Sequence, residues 1–170
     1  MNPRARWLSV AIFLSGCGLI QFDVEEALPE QRVAGNPLGG VLPSFVPTPF
    51  KLNIDLKAET EKRGTGPATH AFLKELTLSV TPKSKPSGNF NFLDEVHISI
   101  APTSGSLPKV EIARAAPVAK ALTVLNFELV PNVDLLPYMN AGAELTANAT
   151  GQQPSSDVTF DGKVVVNVKL

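Results

Sequence analysis

From residue 50 to the end of the chain, apolar side chains recur at every second position, and this alternation constrains the fold more than any other feature. The last run is the clearest: Val158, Phe160, Val164, Val166, Val168 and Leu170 share one parity. Successive side chains of an extended strand point to opposite faces, so such a stripe predicts a strand with one buried and one wet side. Asp161-Gly162 lies inside this run and has hairpin chemistry, but the apolar register continues across it. One long strand kinked at Gly162 is therefore expected.

Six further runs share the pattern. Phe50, Leu52, Ile54 and Leu56 form the first, and Phe72, Lys74, Leu76, Leu78 and Val80 the second. Phe90, Phe92, Val96, Ile98 and Ile100 form the third, with Asp94 marking either a bulge or the true strand start. Shorter runs cover 109–114, 123–130 and 144–150. Leu125, Phe127 and Leu129 are expected on one face of a single strand, and Leu145, Ala147 and Ala149 inward in the last of these. Turn-rich clusters at 62–67, 82–88, 102–108 and 151–156 separate the runs. About seven short strands with almost no helical periodicity predict an all-β, antiparallel β-sandwich of immunoglobulin-like or fibronectin-like architecture over residues 49–170. A small closed barrel is the alternative. Residues 115–122 could hold a helical turn, and 135–143 a loop or short 3₁₀ crossing with Tyr138 over an edge.

The N-terminal part is organised differently. Arg4 and Arg6 precede a mostly apolar stretch from Trp7 to Leu14, and small Ser15 and Gly16 lead to Cys17, the single cysteine. About eight apolar residues cannot cross a hydrocarbon core that needs roughly 20 in a helix. The segment 1–16 therefore reads as a cleavable export signal. Leu14-Ser15-Gly16-Cys17 resembles, position by position, the lipobox of bacterial lipoproteins. That resemblance implies cleavage before Cys17, a diacylglycerol thioether on its sulfur and, in many bacteria, a further acyl chain such as palmitate on the new amino group. It also implies attachment to the membrane of the bacterial cell envelope. In that family an Asp after the cysteine favours inner-membrane retention; Gly18 here points to the outer membrane.

Residues 17–48 read as the lipidated cysteine and a tether. Pro29, Pro37, Pro43, Pro47 and Gly39-Gly40 break helix and strand periodicity, although 22–28 could form a helical turn or two. Such a tether would reach roughly 30 Å, and a fragment starting near residue 48 would fold alone. Leu38, Val41, Leu42, Phe45 and Val46 suggest that part of it lies against the domain.

Composition narrows the function. Fifteen basic and sixteen acidic residues give a net charge of −1, with no field to gather nucleic acid. With Cys17 occupied by lipid, no thiol remains for disulfides, zinc-thiolate sites or nucleophilic catalysis. His70 and His97 are the only histidines; the first reads as a loop residue and the second as a solvated strand residue. Asp94 and Glu95, adjacent on a strand, would point to opposite faces, which suits no acid–base pair. Asp157 and Asp161 read as turn aspartates, lacking the further oxygen ligands of a calcium loop. Lys83 and Lys85 read as a solvated basic loop, and Asn148-Ala149-Thr150 as a chance glycosylation triplet. No HExxH, GxSxG or phosphate-binding glycine loop is present. The expectation is a noncatalytic, cofactor-free β-sandwich held at the membrane through Cys17, acting as a structural or protein-interaction module with an envelope protein partner. The alternative is a carrier or sensor of a hydrophobic ligand such as a lipid, which would need an apolar pocket of roughly 300 Å³ or more.

Overall fold

The computed structural model describes residues 21–41, 50–84 and 88–170. In chain order the elements are β1 (Gln21–Val33), β2 (Phe50–Leu52), α1 (Leu56–Lys62), β3 (His70–Val80), β4 (Leu93–Pro102), β5 (Val110–Ala115), β6 (Val124–Asn126), β7 (Glu128–Leu129), α2 (Leu136–Asn140), β8 (Ala143–Gly151) and β9 (Val158–Lys169). All ladders are antiparallel. They build a four-stranded sheet, β1-β9-β3-β6, and a five-stranded sheet, β2-β8-β4-β5-β7. The two sheets pack together as an all-β sandwich, which decides against the barrel. Leu76, Leu78, Phe160, Val164 and Val166 of one sheet and Val96, Ile98, Ile100 and Leu145 of the other are buried. Each such side chain contributes roughly 1.5–3 kcal/mol by leaving water.

Nine strands replace the expected seven, for two reasons. The first corrects the tether. Residues 21–33, read as flexible lead, form β1, which pairs with β9 along its length. No helical turn forms at 22–28. Leu28 and Val33 are buried, and Phe22 and Val24 pack against the core. The inward stripe is broken at Glu26, whose carboxylate reaches the backbone N–H of Asn53 at 3.0 and 3.1 Å. It is broken again at Pro29 and Glu30: the register passes from Leu28↔Gly162 to Gln31↔Phe160, so both residues oppose Asp161 alone in a bulge. Proline's missing donor costs least at a bulge on an edge strand. Beyond β1, Asn36 N–H donates to the Pro154 carbonyl at 2.7 Å and Val41 bridges Gln152. The domain thus starts no later than Gln21, and the rest of the tether reading, 17–20 and 42–48, lies outside the described residues.

The second reason is that run 123–130 divides. β6 pairs with β3 in one sheet and β7 with β5 in the other, so the chain changes sheets at buried Phe127.

Three other runs change phase. In β5 the register passes from Ile98↔Ala113 to Ser99↔Glu111, so Ile112 is a bulge and Ile112, Ala113 and Ala115 are all buried. β2 ends at Leu52, and Asp55 accepts from the Ala58 N–H at 2.9 Å to cap α1. An N-cap carboxylate satisfies a helix donor that the strand would have used. In β3 the register shifts from Leu73↔Val166 to Glu75↔Val165, leaving Lys74 as a bulge that reverses the facing. Ala71 and Leu76 are both buried across it, whereas Phe72 and Lys74, expected inside, stand outside. The bulge at Asp94 is present, and β9 is one continuous strand. A Cβ on Gly162 would lie 2.8 Å from the Thr77 carbonyl oxygen and from Leu78 Cδ2, so the backbones there approach more closely than any other residue permits. Tyr138 is buried on α2 and donates to the Pro108 carbonyl at 3.0 Å.

Candidate functional surfaces

Cys17, the lipidation residue read from the sequence, lies outside the described residues, as does Lys85. The remaining residues singled out above fall on different parts of the surface.

His70 opens β3, exposed rather than in the preceding loop. Its Nδ1 lies 2.8 Å from Asp134 Oδ2, and its ring stacks beside Phe72 with centroids 5.8 Å apart. Asp134 Oδ1 also accepts from the backbone N–H groups of Ala71 and Leu136, each at 3.0 Å. Burial pushes this carboxyl up, but the Ala71 donor, the His70 ring and the Leu136 donor outweigh it and hold it below the usual carboxylate range. The cluster has the form of a clamp between β3 and the segment leading into α2.

His97 stands on the outer face of β4, about one-third exposed, with Nδ1 2.9 Å from Glu111 and Nε2 3.8 Å from Glu95. Among the described residues, no group of three or more His, Cys, Asp or Glu side chains is arranged to hold a metal ion. Asp94, on its bulge, pairs with Lys120 at 3.4 Å rather than with Glu95. Asp157 accepts from the Gly35 N–H at 2.8 Å and pairs with Arg32; the backbone donor above all holds it below its ordinary value against the effect of desolvation, with help from Arg32. That fastens the end of β1 to the start of β9. Asp161 is exposed opposite the β1 bulge. Lys83 pairs with Glu30 at 2.6 Å, and Asn148 is exposed on the outer face of β8.

Three concavities bear on ligands. Between the sheets is a cavity of about 30 Å³ lined by Leu28, Leu78, Phe90, Phe92, Leu145 and Phe160. It is a tenth of the volume a lipid carrier requires. A polar groove of about 310 Å³ lies where 89–92 meets 152–158, lined by Asn89, Asn91, Gln152, Gln153, Ser155 and Ser156. Over the outer face of the four-stranded sheet is a shallow depression of about 560 Å³ around Gly162. Lys163 there lies 2.9 Å from Glu75 and 4.0 Å from Glu25. The groove escaped the sequence reading because its two halves are remote in the chain; the pairs Asn89/Asn91 and Gln152-Gln153 were its only trace. Asp134 was also missed, since nothing in its neighbours distinguishes it from a turn residue.

Among the described residues, no helix is long and apolar enough to cross a membrane. Comparison with protein-family models and with curated proteins finds no match to this chain.

Proposed function

We propose that this protein is a lipid-anchored component of the bacterial cell envelope, acylated on Cys17, whose noncatalytic β-sandwich acts as a protein-interaction module. The observation that carries the reading is Leu14-Ser15-Gly16-Cys17 placed directly after a basic and then apolar segment. Gly18, in place of Asp, favours the outer membrane. Two features of the domain support the interaction role over ligand carriage. The inter-sheet cavity of about 30 Å³ has room for a water or two and not for an acyl chain. The other two concavities are open, on the surface, and lined by carboxamides, hydroxyls and paired charges, which suits a polar protein surface better than an apolar ligand.

The anchor is tested by Cys17→Ser. The substituted protein is expected to lose metabolic labelling by palmitate and to leave the membrane fraction while keeping the β-type circular dichroism of the parent. Persistence in salt-washed membranes would refute the anchor. The module is tested by crosslinking in intact envelopes, where a discrete adduct lost on substitution of groove residues Asn91 and Gln153 is expected.

A further inference from the structure

We propose that the domain sits directly on the bilayer, seated by the pole at which β1 begins, instead of standing clear of it; this rests on lipidation at Cys17. Only Gly18, Leu19 and Ile20 separate Cys17 from Gln21, the first residue of β1. Four chain steps span at most about 14 Å even fully extended, and the headgroup layer itself takes roughly 5–8 Å per leaflet. The lead is too short to lift a sandwich off the surface.

The pole so held down is defined by pairing. Gln21 and His70 both pair with Lys169, so the start of β1, the start of β3 and the end of β9 lie together. The Arg63 guanidinium covers the Phe22 ring at 4.2 Å, bringing the end of α1 to the same place. His70 holds Asp134 and hence α2. The Ala141 carbonyl after α2 accepts the hydroxyls of Thr103 and Ser104, each at 3.0 Å, which fixes the 103–109 loop beside it.

What this end presents suits lipid headgroups. Lys62, Lys109 and Lys169 form no ion pair among the described residues. Of the local carboxylates, Asp23, Glu59 and Asp134 are engaged, by Lys74, Arg63 and His70, and Glu144 near the start of β8 leaves the three lysines in excess. Leu107, 37% exposed, projects from the same loop as Lys109. Unpaired lysines beside an exposed leucine match an interface with anionic phosphate above and acyl chain below. The Lys169 ammonium lies over the Phe72 ring at 4.8 Å, which places its charge at this pole. The polar groove at 89–91 and 152–156 lies at the other end of the strands, so seating this pole turns the groove away from the membrane.

The acylated full-length protein, reconstituted in vesicles of phosphatidylethanolamine and phosphatidylglycerol, tests the orientation. Lipid occupies Cys17, so Leu107→Cys and Leu38→Cys each provide one reactive thiol for an environment-sensitive fluorophore. Nitroxide-bearing lipids are expected to quench the label at position 107 and leave the label at position 38 unaffected. Equal quenching at both positions, or none at either, with the acyl chain present by mass, overturns the seating while the anchor reading stands. An unacylated Cys17 overturns both.

Discussion

The four-stranded sheet ends on β6, of three residues, and on β1, of thirteen, whereas the five-stranded sheet ends on β2 and β7, of three and two. An unpaired strand edge is a template for another chain, and the two sheets blunt theirs by different means. Brevity suffices for β2 and β7. β1 is long, and its protection is chemical: Asp23 and Glu25 are exposed along it, and Pro29 and Glu30 bulge from it. The same acids are drawn back to the sheet, Asp23 by Lys74 and Asn167, Glu30 by Lys83. Such exposed pairs each contribute about 0–1 kcal/mol, so β1 is held mainly by its ladder and by Leu28 and Val33. The composition that made 21–33 look like a solvated lead is the composition that keeps a long edge from recruiting a neighbour.

Removing β1 should separate the two sheets most sharply. A chain beginning at residue 34 exposes the flank of β9 and loses Leu28 and Val33, each worth roughly 1.5–3 kcal/mol, from a total of about 5–15 kcal/mol. Aggregation or loss of the cooperative thermal transition is expected. A well-folded monomer would return β1 to the status of a lead. On the short edge, Leu52→Ala should instead cost about 2–3 kcal/mol with cooperativity intact.

Asp134→Ala tests the clamp between β3 of the four-stranded sheet and α2, and should have a middling effect. It leaves the N–H of fully buried Ala71 without its acceptor, at about 1–2 kcal/mol. Because the folded carboxyl titrates below its ordinary value, its contribution is present above the unfolded value and is lost as pH falls through the folded one. The difference between parent and variant in chemical denaturation should therefore be full at neutral pH and shrink below about pH 4. A difference that does not change with acidity would remove Asp134 as a charged clamp. Smallest in free energy is Pro29→Thr with Glu30→Thr, expected to shift stability by no more than about 0.5 kcal/mol. Its signature is association: light scattering is expected to show concentration-dependent self-association greater than that of the parent.

Most of the sandwich was legible because β8, β9 and β4 from Val96 onward each keep one apolar parity against a single core; in β5 a bulge at Ile112 buries Ile112, Ala113 and Ala115 across both parities. What was not legible had specific physical causes. In β1, Glu26 occupies an inward position and is tolerated because the Asn53 N–H meets it. In β3 a single inserted residue, Lys74, reverses the facing, and periodicity carries no mark of that. Ile54 and Leu56 continue the parity of Leu52, yet Asp55 with Ala58 begins a helix, a local cap overriding an alternation. Phe127 shares parity with Leu125 and Leu129 although the ladder passes from one sheet to the other around it. Surface arrangements fared worst. The carboxamide groove and the His70–Asp134 clamp join residues far apart in the chain, and only the fold brings them together.

The pairing of β1 with β9 also sets an order in time. The first described strand finds its partner only in the last, and β3, which meets β6 over three residues earlier, gains its long ladder only with that same strand. Closing such long loops before any contact rewards them makes assembly slow. If the chain is exported from its N-terminus, as proposed, its four-stranded sheet would stay open until β9 arrives. Such translocation would meet no finished sheet to unravel, and β9 would close the domain only after β1 had crossed.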